Sequence, residues 1–367
     1  MHILTRSVAV CCLLLPVGGV AAAAPAGPTY VGQVQLAPDT TFAGTLVGGL
    51  SGISYDPGSQ LYYVISDDRS SKNSARFYTA RIALSDNTIS PVEFVATHPW
   101  LDTNGRTFPP LDAAARPPVV PPDPEGIAFD GRRQVLYWSS EGGRITDDPN
   151  GPVLLDPWVR IATLDGGSVG EFALPAVLRM SVDPTGPRQN NGLEGLTLSP
   201  GGRYLWAGME GPGYNDGAQP TEATGALTRI TRFDVESRLA TAQYAYPLDP
   251  ASAGPGSDNG LSDLLAIDDE NFLAIERGFG THTAARIYRV SVAGAEDVLA
   301  RPSLMGAPVR TMQKTLLVDL TNTVAPLDNV EGLTFGPVLP DGRQSLVLVS
   351  DDNFSPKQIT QFLAFAL

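Results

Sequence analysis

A short motif, Glu-Gly in most copies, recurs five times along the chain at nearly constant spacing. Its first residue lies at positions 51, 125, 194, 263 and 331, so successive intervals are 74, 69, 69 and 68 residues. A fixed period of this kind is typical of repeat architectures, in which each unit packs against its neighbours. The five copies open with Ser51-Gly52, Glu125-Gly126, Glu194-Gly195, Asp263-Leu264 and Glu331-Gly332.

Each motif opens a short apolar run, and a second acidic residue closes the next one. Runs such as 135–138 and 346–349 are too short for helices, are rich in β-branched and aromatic residues, and are bounded by Gly, Pro and Asp. These features predict strands. Two further runs usually follow within a unit, for example 158–164 and 171–174. Four antiparallel strands per repeat are the content of a β-propeller blade.

The two ends of the chain predict how the ring closes. The run 30–36 precedes the first motif without a partner, and 359–365 is the single run after the last hairpin. Pairing them would complete the last blade and remove an exposed edge. We therefore predict an all-β, five-bladed propeller that is closed by its N- and C-terminal strands. A sixth blade within 286–323 remains an alternative, because two runs there are separated by more than a simple turn.

Residues 1–24 predict export. They contain Arg6, no acidic residue, an apolar stretch and a small-residue end at positions 22–24, which is the pattern of a cleaved signal peptide. Both cysteines, Cys11 and Cys12, lie inside it, so we expect no disulfide in the exported chain. No later stretch approaches the roughly 18 to 20 apolar residues of a membrane helix. We predict a signal peptide at 1–24, a propeller domain at 25–367, and a periplasmic or secreted location.

The charge balance limits the partners. The chain has 25 Lys and Arg against 39 Asp and Glu, a formal net charge of −14. Such a chain is poorly suited to binding nucleic acid or an anionic membrane surface. Scattered carboxylates are explained by a solvated acidic coat, but those that recur in phase with the repeat need another explanation.

The spacing within a repeat places its acids together. Opener and closer are 16 residues apart in the first three copies, which accommodates a strand, a turn and a return strand at about 3.3 Å per residue. Both acids should therefore lie at the same edge of the sheet, and around a ring they should gather near the axis. Glu125, Glu194 and Glu331 are the preferred ligands or general bases. The other candidate metal ligands are Asp67, Asp68, Glu141, Glu210, Asp263, Glu276, Asp351 and Asp352.

So many facing carboxylates repel one another unless a cation compensates them. One candidate is Ca²⁺, which takes six to eight oxygen ligands. The other is a set of arginines just after the closers, Arg69, Arg144 and Arg277, which could pair with the acids or bind an anionic substrate group. In any single copy, Glu-Gly is equally consistent with a structural turn. Acids at both ends of one hairpin favour a site.

Other chemistries have little support. Only His98 and His282 follow the predicted signal peptide, and neither has the spacing of a zinc ligand pair. The sequence has no Gly-x-Ser-x-Gly, so a serine-hydrolase elbow is not predicted.

Several segments resemble a known family. They include 191–196, 261–263, 329–333 and the closing Ser-Asp-Asp-Asn-Phe at 350–354, which is the most specific. They are similar to the bacterial exported phytase-like family, often described as having esterase-like activity. The resemblance implies a β-propeller hydrolase of phosphate or other esters, but it assigns no catalytic residues.

Three functions follow as hypotheses. The first is metal-dependent hydrolysis of a small, anionic ester, with one carboxylate as general base and an arginine stabilising the developing charge. The second is a calcium-dependent lactonase that uses the same carboxylates. The third is non-catalytic binding of a cell-envelope ligand by the propeller face. In each case we expect a monomer.

Overall fold

The computed structural model describes residues 27–367, so the predicted signal peptide and both cysteines lie outside the described residues. Strand β1 (Thr29–Gln35) comes first and is followed by a small hairpin of β2 (Thr41–Phe42) and β3 (Thr45–Leu46). Helical structure in the described part consists of three short 3-10 segments at Ala176–Leu178, Tyr214–Asp216 and Leu320–Asn322. None of them has the length and apolar character that crossing a bilayer requires.

Five four-stranded antiparallel sheets, the blades, follow one another along the chain. The first contains β4 (Leu50–Asp56), β5 (Leu61–Ser66), β6 (Arg76–Arg81) and β7 (Glu93–Pro99). The second contains β8 (Pro124–Asp130) and β9 (Val135–Ser140), then, after a hairpin of β10 (Gly143–Ile145) and β11 (Val153–Leu155), β12 (Trp158–Ala162) and β13 (Ser168–Glu171).

The remaining blades have the same order. The third contains β14 (Leu193–Leu198), β15 (Tyr204–Met209), β16 (Ala226–Asp234) and β17 (Leu239–Leu248). The fourth contains β18 (Gly260–Ala266), β19 (Asn271–Phe279), β20 (Thr283–Ser291) and β21 (Gln313–Asp319). The fifth contains β22 (Asn329–Val338), β23 (Gln344–Asp351), β24 (Gln361–Ala366) and β1.

Closure by the chain ends is confirmed. β1 pairs antiparallel with β24, with Thr29 opposite Ala366 and Gln35 opposite Gln361. The alternative of a sixth blade is wrong, because β20 and β21 are the outer strands of the fourth blade, with Ile287 opposite Val318. The protein is a five-bladed β-propeller.

A separate hydrophobic cluster fills each seam between neighbouring blades. Between the first and second blades Trp100 stacks on Trp138 with ring centroids 4.7 Å apart. Between the fifth and first blades, buried Val349 belongs to the same cluster as Val64. Since all five seams are packed, apolar burial holds the ring closed on every side.

The innermost strands, β4, β8, β14, β18 and β22, surround the axis and contact one another directly. The Ser51 hydroxyl donates to Glu125 O at 3.1 Å. A Cβ built on Gly126 would lie 2.5 Å from Glu194 O. The glycine of the motif is therefore required by the close approach of neighbouring blades, which leaves the preceding acid free for another role.

Candidate functional site

A cavity of about 520 Å³ opens at the end of the ring where the innermost strands begin. Two arginines, Arg69 and Arg277, line this cavity. The opposite end of the ring has an apolar cavity whose walls include Tyr55, Phe129 and Phe335. Eight carboxylates line the first cavity: Asp67, Glu125, Glu141, Glu194, Glu210, Asp258, Glu331 and Asp351.

A β-bulge interrupts each innermost strand at the motif. Its register with the second strand shifts between Leu50 and Gly52 in the first blade, and at the corresponding place in the other four. Bulges leave residues out of the ladder and re-aim their side chains. Glu125, Glu194 and Glu331 occupy bulges in this way and line the cavity.

In the fourth blade the bulge lies one residue before the acid of the motif instead of at it. Its bulge falls on Ser262, and Asp263 is paired with Ile275. Ser262 is thus the counterpart of Ser51 and of the glutamates, and its hydroxyl likewise donates to the next blade, at Val330 O (3.3 Å). A shift of one residue turns a strand side chain to the other face. The Asp263 carboxylate accepts hydrogen bonds from Leu264 N and Leu333 N, both at 2.8 Å, and does not line the cavity.

The same one-residue register shift turns Glu276 away from the cavity. In the third blade Leu193 is opposite Met209, but in the fourth Leu261 is opposite Glu276. Arg277 therefore stands where the third blade has Glu210. Glu276 points away from the cavity and accepts hydrogen bonds from four donors: Tyr246 Oη (2.8 Å), Asp249 N (3.0 Å), Asn259 Nδ2 (2.8 Å) and Lys314 Nζ.

Two further predicted ligands also lie outside the cavity lining. Asp68 forms a buried ion pair with Arg76 Nη1 at 2.7 Å. Asp352 Oδ1 accepts hydrogen bonds from Gly49 N (2.9 Å) and Phe354 N (3.0 Å). Both carboxylates hold turns beside the cavity, while their chain neighbours, Asp67 and Asp351, line it.

Of the three predicted anion contacts, two reach the cavity. Arg69 forms an ion pair with Asp123, and its side chain is 43% exposed. Arg277 Nη2 donates to Glu331 Oε1 at 2.8 Å and to Glu210 Oε1 at 3.2 Å.

Arg144 turns away from the cavity lining. Its Nε donates to Ser181 O at 2.8 Å and its Nη1 to Tyr214 Oη at 3.2 Å. These bonds tie β10 to Ser181, in the segment that follows the second blade, and to Tyr214, in the third blade.

Burial and mutual repulsion make the cavity carboxylates hard to ionise. Desolvation raises the pKa of Glu125 and Glu194 well above the usual range, and neighbouring carboxylates raise it further. The pKa of Glu141 is raised in the same way, with Asp123 as the strongest neighbour. Desolvation also raises the pKa of Glu331, to about 7, although the Arg277 charge opposes this rise. The site is short of positive charge.

Several residues at the cavity are not predicted by the motif spacing. Asp123, 1% exposed, comes two residues before Glu125, and Asn329 comes two residues before Glu331. Asn329 Nδ2 donates to Glu331 Oε1 at 2.9 Å. A polar residue two positions before the acid of the motif is the sequence signal that could have identified both of them. Asp258 comes from the loop between the third and fourth blades, where no motif marks it.

A model of the Phytase-like family, described as "Esterase-like activity of phytase", matches residues 45–354. The chain belongs to this family. The match extends from just before the first blade to the closing Ser-Asp-Asp-Asn-Phe segment, so it includes all eight carboxylates and both arginines that line the cavity. The family predicted from the motifs is confirmed.

Other similarities of this Phytase-like chain are weaker. The N-succinylarginine dihydrolase of Myxococcus xanthus (strain DK1622) is 26% identical over 150 residues, which are 38% of this chain and 32% of that protein. The match thus spans about a third of that relative. The structure of the Pseudomonas aeruginosa periplasmic gluconolactonase PpgL is 13% identical with a TM-score of 0.38, and 93% of this chain and 98% of that chain are covered.

The residues of the Phytase-like site suit a hard divalent cation. Carboxylate oxygens of Asp123, Glu125 and Glu141 lie within 4.8 Å of one another, and so do those of Glu141, Glu194 and Glu210. Asn329 Oδ1 is buried without a hydrogen-bond partner, and so is Asp67 Oδ1. Carboxylate and amide oxygens are the ligands that Ca²⁺ prefers.

Proposed function

We propose that this protein is an exported, calcium-dependent hydrolase of small anionic esters, with phosphate monoesters as the first candidates. The observation that carries the proposal is the charge of the cavity. Among residues 27–367, nine carboxylates, the eight that line it and Asp123, face only the guanidinium groups of Arg69 and Arg277. With all nine ionised, seven negative charges are left over, and they repel an anionic substrate unless cations are bound. Family membership supports ester hydrolysis as the reaction.

Glu125, Glu141 and Glu194 are among the residues that would hold bound calcium, Glu125 in one group of three acids, Glu194 in the other, and Glu141 in both. A bound Ca²⁺ would supply positive charge that polarises the ester and favours ionisation of an attacking water. Glu125 and Glu194 face the cavity at bulges, so their orientation is fixed by the backbone.

Glu331 is the proposed general base. Its pKa of about 7 lets it be ionised near neutrality and still accept a proton. Arg277 and Asn329 both donate to its Oε1, which leaves Oε2 available. In the reaction, the water oxygen bonds to the phosphorus or acyl carbon while a water proton passes to Glu331, the bond to the alcohol oxygen breaks, and that oxygen takes up the proton from Glu331 to leave as the alcohol. Arg69, half-exposed beside the cavity, is placed to contact the anionic group.

A substrate panel tests this proposal. We expect turnover of a phosphate monoester such as p-nitrophenyl phosphate with Ca²⁺, and none after chelation. Glu331→Gln should lower kcat by roughly 10²- to 10⁴-fold, because general bases contribute that much. The exposed Glu93→Gln, in the outer strand of the first blade, is the matched control. Equal rates with and without the chelator would refute metal dependence.

The same panel separates the other hypotheses. Turnover of lactones alone, with the same carboxylates required, would replace the proposal by a lactonase. Calcium binding without turnover of any phosphate ester, acyl ester or lactone would favour a binding module. Export remains a prediction from residues 1–24, and detection of the protein in periplasmic or culture fractions would test it.

A further inference from the structure

One carboxylate, that of Glu141, belongs to two ligand sets. Asp123 and Glu125 complete the first set, and Glu194 and Glu210 complete the second. Calcium–oxygen bonds are about 2.3 to 2.6 Å, so two oxygens on one ion lie at most about 5 Å apart. The oxygens of each set lie within 4.8 Å of one another. Each set therefore has the dimensions of one coordination shell, and Glu141 is common to both.

The five acids of the two sets form a row from Asp123 to Glu210, and in the described residues arginine side chains pair only with the two ends of this row. Arg69 pairs with Asp123 at one end, and Arg277 pairs with Glu210 at the other. Within residues 27–367, Glu125, Glu141 and Glu194 take part in no ion pair. Glu141 accepts a hydrogen bond from Gly192 N at 2.8 Å. The centre of the row is thus the part with least compensation.

Asp123 gives independent support for a ligand. Its residue is 1% exposed and its Oδ1 has no hydrogen-bond partner, while Oδ2 faces Arg69. Leaving a carboxylate oxygen buried without any partner is unfavourable, and a bound cation removes that penalty. Glycine also shapes the space around the shared residue, because a Cβ on Gly192 would lie 2.5 Å from Glu141 Cγ.

We propose that the cavity binds two divalent cations side by side, with Glu141 as the ligand that bridges them. One ion is held with Asp123 and Glu125, and the other with Glu194 and Glu210. The inference rests on the proposed function for its choice of Ca²⁺. Of the seven uncompensated negative charges, one divalent ion leaves five and two ions leave three. Two adjacent ions suit a phosphate group, whose several oxygens can contact both, better than the single carbonyl of a lactone.

Calcium titration of the chelator-stripped full chain by calorimetry, with metal analysis after equilibrium dialysis, tests the number of ions. We expect two Ca²⁺ per chain in the wild type. Asp123→Asn and Glu210→Gln should each weaken binding of one ion, and Glu141→Gln should weaken binding of both by at least about tenfold, because even changing an outer partner of a metal ligand costs about 10- to 100-fold in affinity. Glu171→Gln, whose side chain is 64% exposed on β13, is the control and should bind two.

A wild-type stoichiometry of one or zero overturns the two-ion site, and this result does not depend on any variant folding. Glu141→Gln that retains both ions at wild-type affinity, with a native circular dichroism spectrum, also overturns it. The outcomes are separable from those of the proposed function. Two bound ions without turnover of any ester would refute the hydrolase and keep the site, whereas calcium-dependent turnover with one bound ion would do the reverse.

Discussion

Arg277 Nη2 lies 2.8 Å from Glu331 Oε1, although the two residues belong to different blades. Arg277 lies near the end of the second strand of the fourth blade, at the position opposite Gly260. In the fifth blade the corresponding position, opposite Asn329, is Asp351. The fourth blade thus supplies a guanidinium where the other four blades supply a carboxylate. This single exchange gives the acidic ring a fixed internal cation.

Arg277→Met tests that role. Its side chain is 11% exposed and pairs with two carboxylates that are themselves about 10% exposed or less. Removing one partner of a buried ion pair leaves uncompensated charge, so we expect a loss of about 3 to 5 kcal/mol in the free energy of unfolding. Urea denaturation of the calcium-free protein above neutral pH measures it. Arg289→Met, at an exposed position on the next strand, should change stability by less than about 0.5 kcal/mol. Equal effects would contradict the assignment.

The stability of the calcium-free protein should fall as pH rises. Burial raises the pKa of Glu331 from its ordinary value of 4.5 to about 7, so the folded chain binds this proton more tightly than the unfolded chain. The resulting stabilisation is fully present below about pH 4.5 and is lost as pH rises through about 7. Other cavity carboxylates, such as Glu194, are shifted in the same direction and add to the effect.

Urea denaturation across this pH window, after calcium removal, measures the slope. Across this window Glu331→Gln should reduce the total loss of unfolding free energy by an amount on the order of a few kcal/mol, because glutamine does not titrate. The exposed Glu93→Gln should keep the wild-type slope. Excess Ca²⁺ should reverse the slope, because bound cations need ionised ligands. A stability that rises with pH in the calcium-free protein would contradict this electrostatic picture.

Glu276 should be important for stability rather than for metal binding. It is 2% exposed and joins Lys314 to both ends of the loop between the third and fourth blades, through Asp249 N and Asn259 Nδ2. Glu276→Gln removes the buried one of the two carboxylate charges that Lys314 pairs with, the other being that of Asp249, and we expect a loss of about 2 to 4 kcal/mol in the free energy of unfolding.

Thermal unfolding and hydrogen exchange of the 249–259 loop check the Glu276 prediction. Faster exchange should be confined to this loop and its neighbours, and the number of bound Ca²⁺ ions should not change. Glu270→Gln, exposed at the turn before the same strand, is the control. A variant of unchanged stability that has lost an ion would show that Glu276 is a ligand after all.

The repeat predicted the architecture well because its period reports the blades directly. Strand content, closure by β1 and β24, and a common face for the motif acids all follow from spacing and strand periodicity. The bulges could not be predicted in this way, because a bulge changes register by one residue and leaves the hydrophobic pattern almost unchanged. For this reason the acid at Asp263 was aligned with Glu194, although Ser262 is the residue at the bulge.

Residues outside the repeat were predicted least well. Asn190 and Asp258 reach the cavity from connecting loops, whose paths depend on long-range contacts rather than on a local pattern. Arg144 follows Glu141 closely in sequence, yet β10 carries it to the segment around Ser181. Sequence proximity to a closing acid therefore identified the cavity arginines Arg69 and Arg277 but could not predict the path of Arg144.

A comparison of Asp263→Asn with Glu194→Gln tests the shifted register directly. Asp263 accepts hydrogen bonds from Leu264 N and from Leu333 N in the next blade, and burial raises its pKa well above the usual range. An amide has only one acceptor oxygen, so Asp263→Asn should lower stability by about 1 to 3 kcal/mol through the amide left unpaired. Calcium stoichiometry should stay at the wild-type value.

Glu194→Gln should do the opposite, weakening calcium binding while leaving the calcium-free protein as stable as the wild type or more so, since one of several repelling charges is removed. If Asp263→Asn lost an ion and Glu194→Gln did not, Asp263 would be a carboxylate of the cavity, as the sequence period predicts. The placement of the bulge at Ser262 would then be refuted.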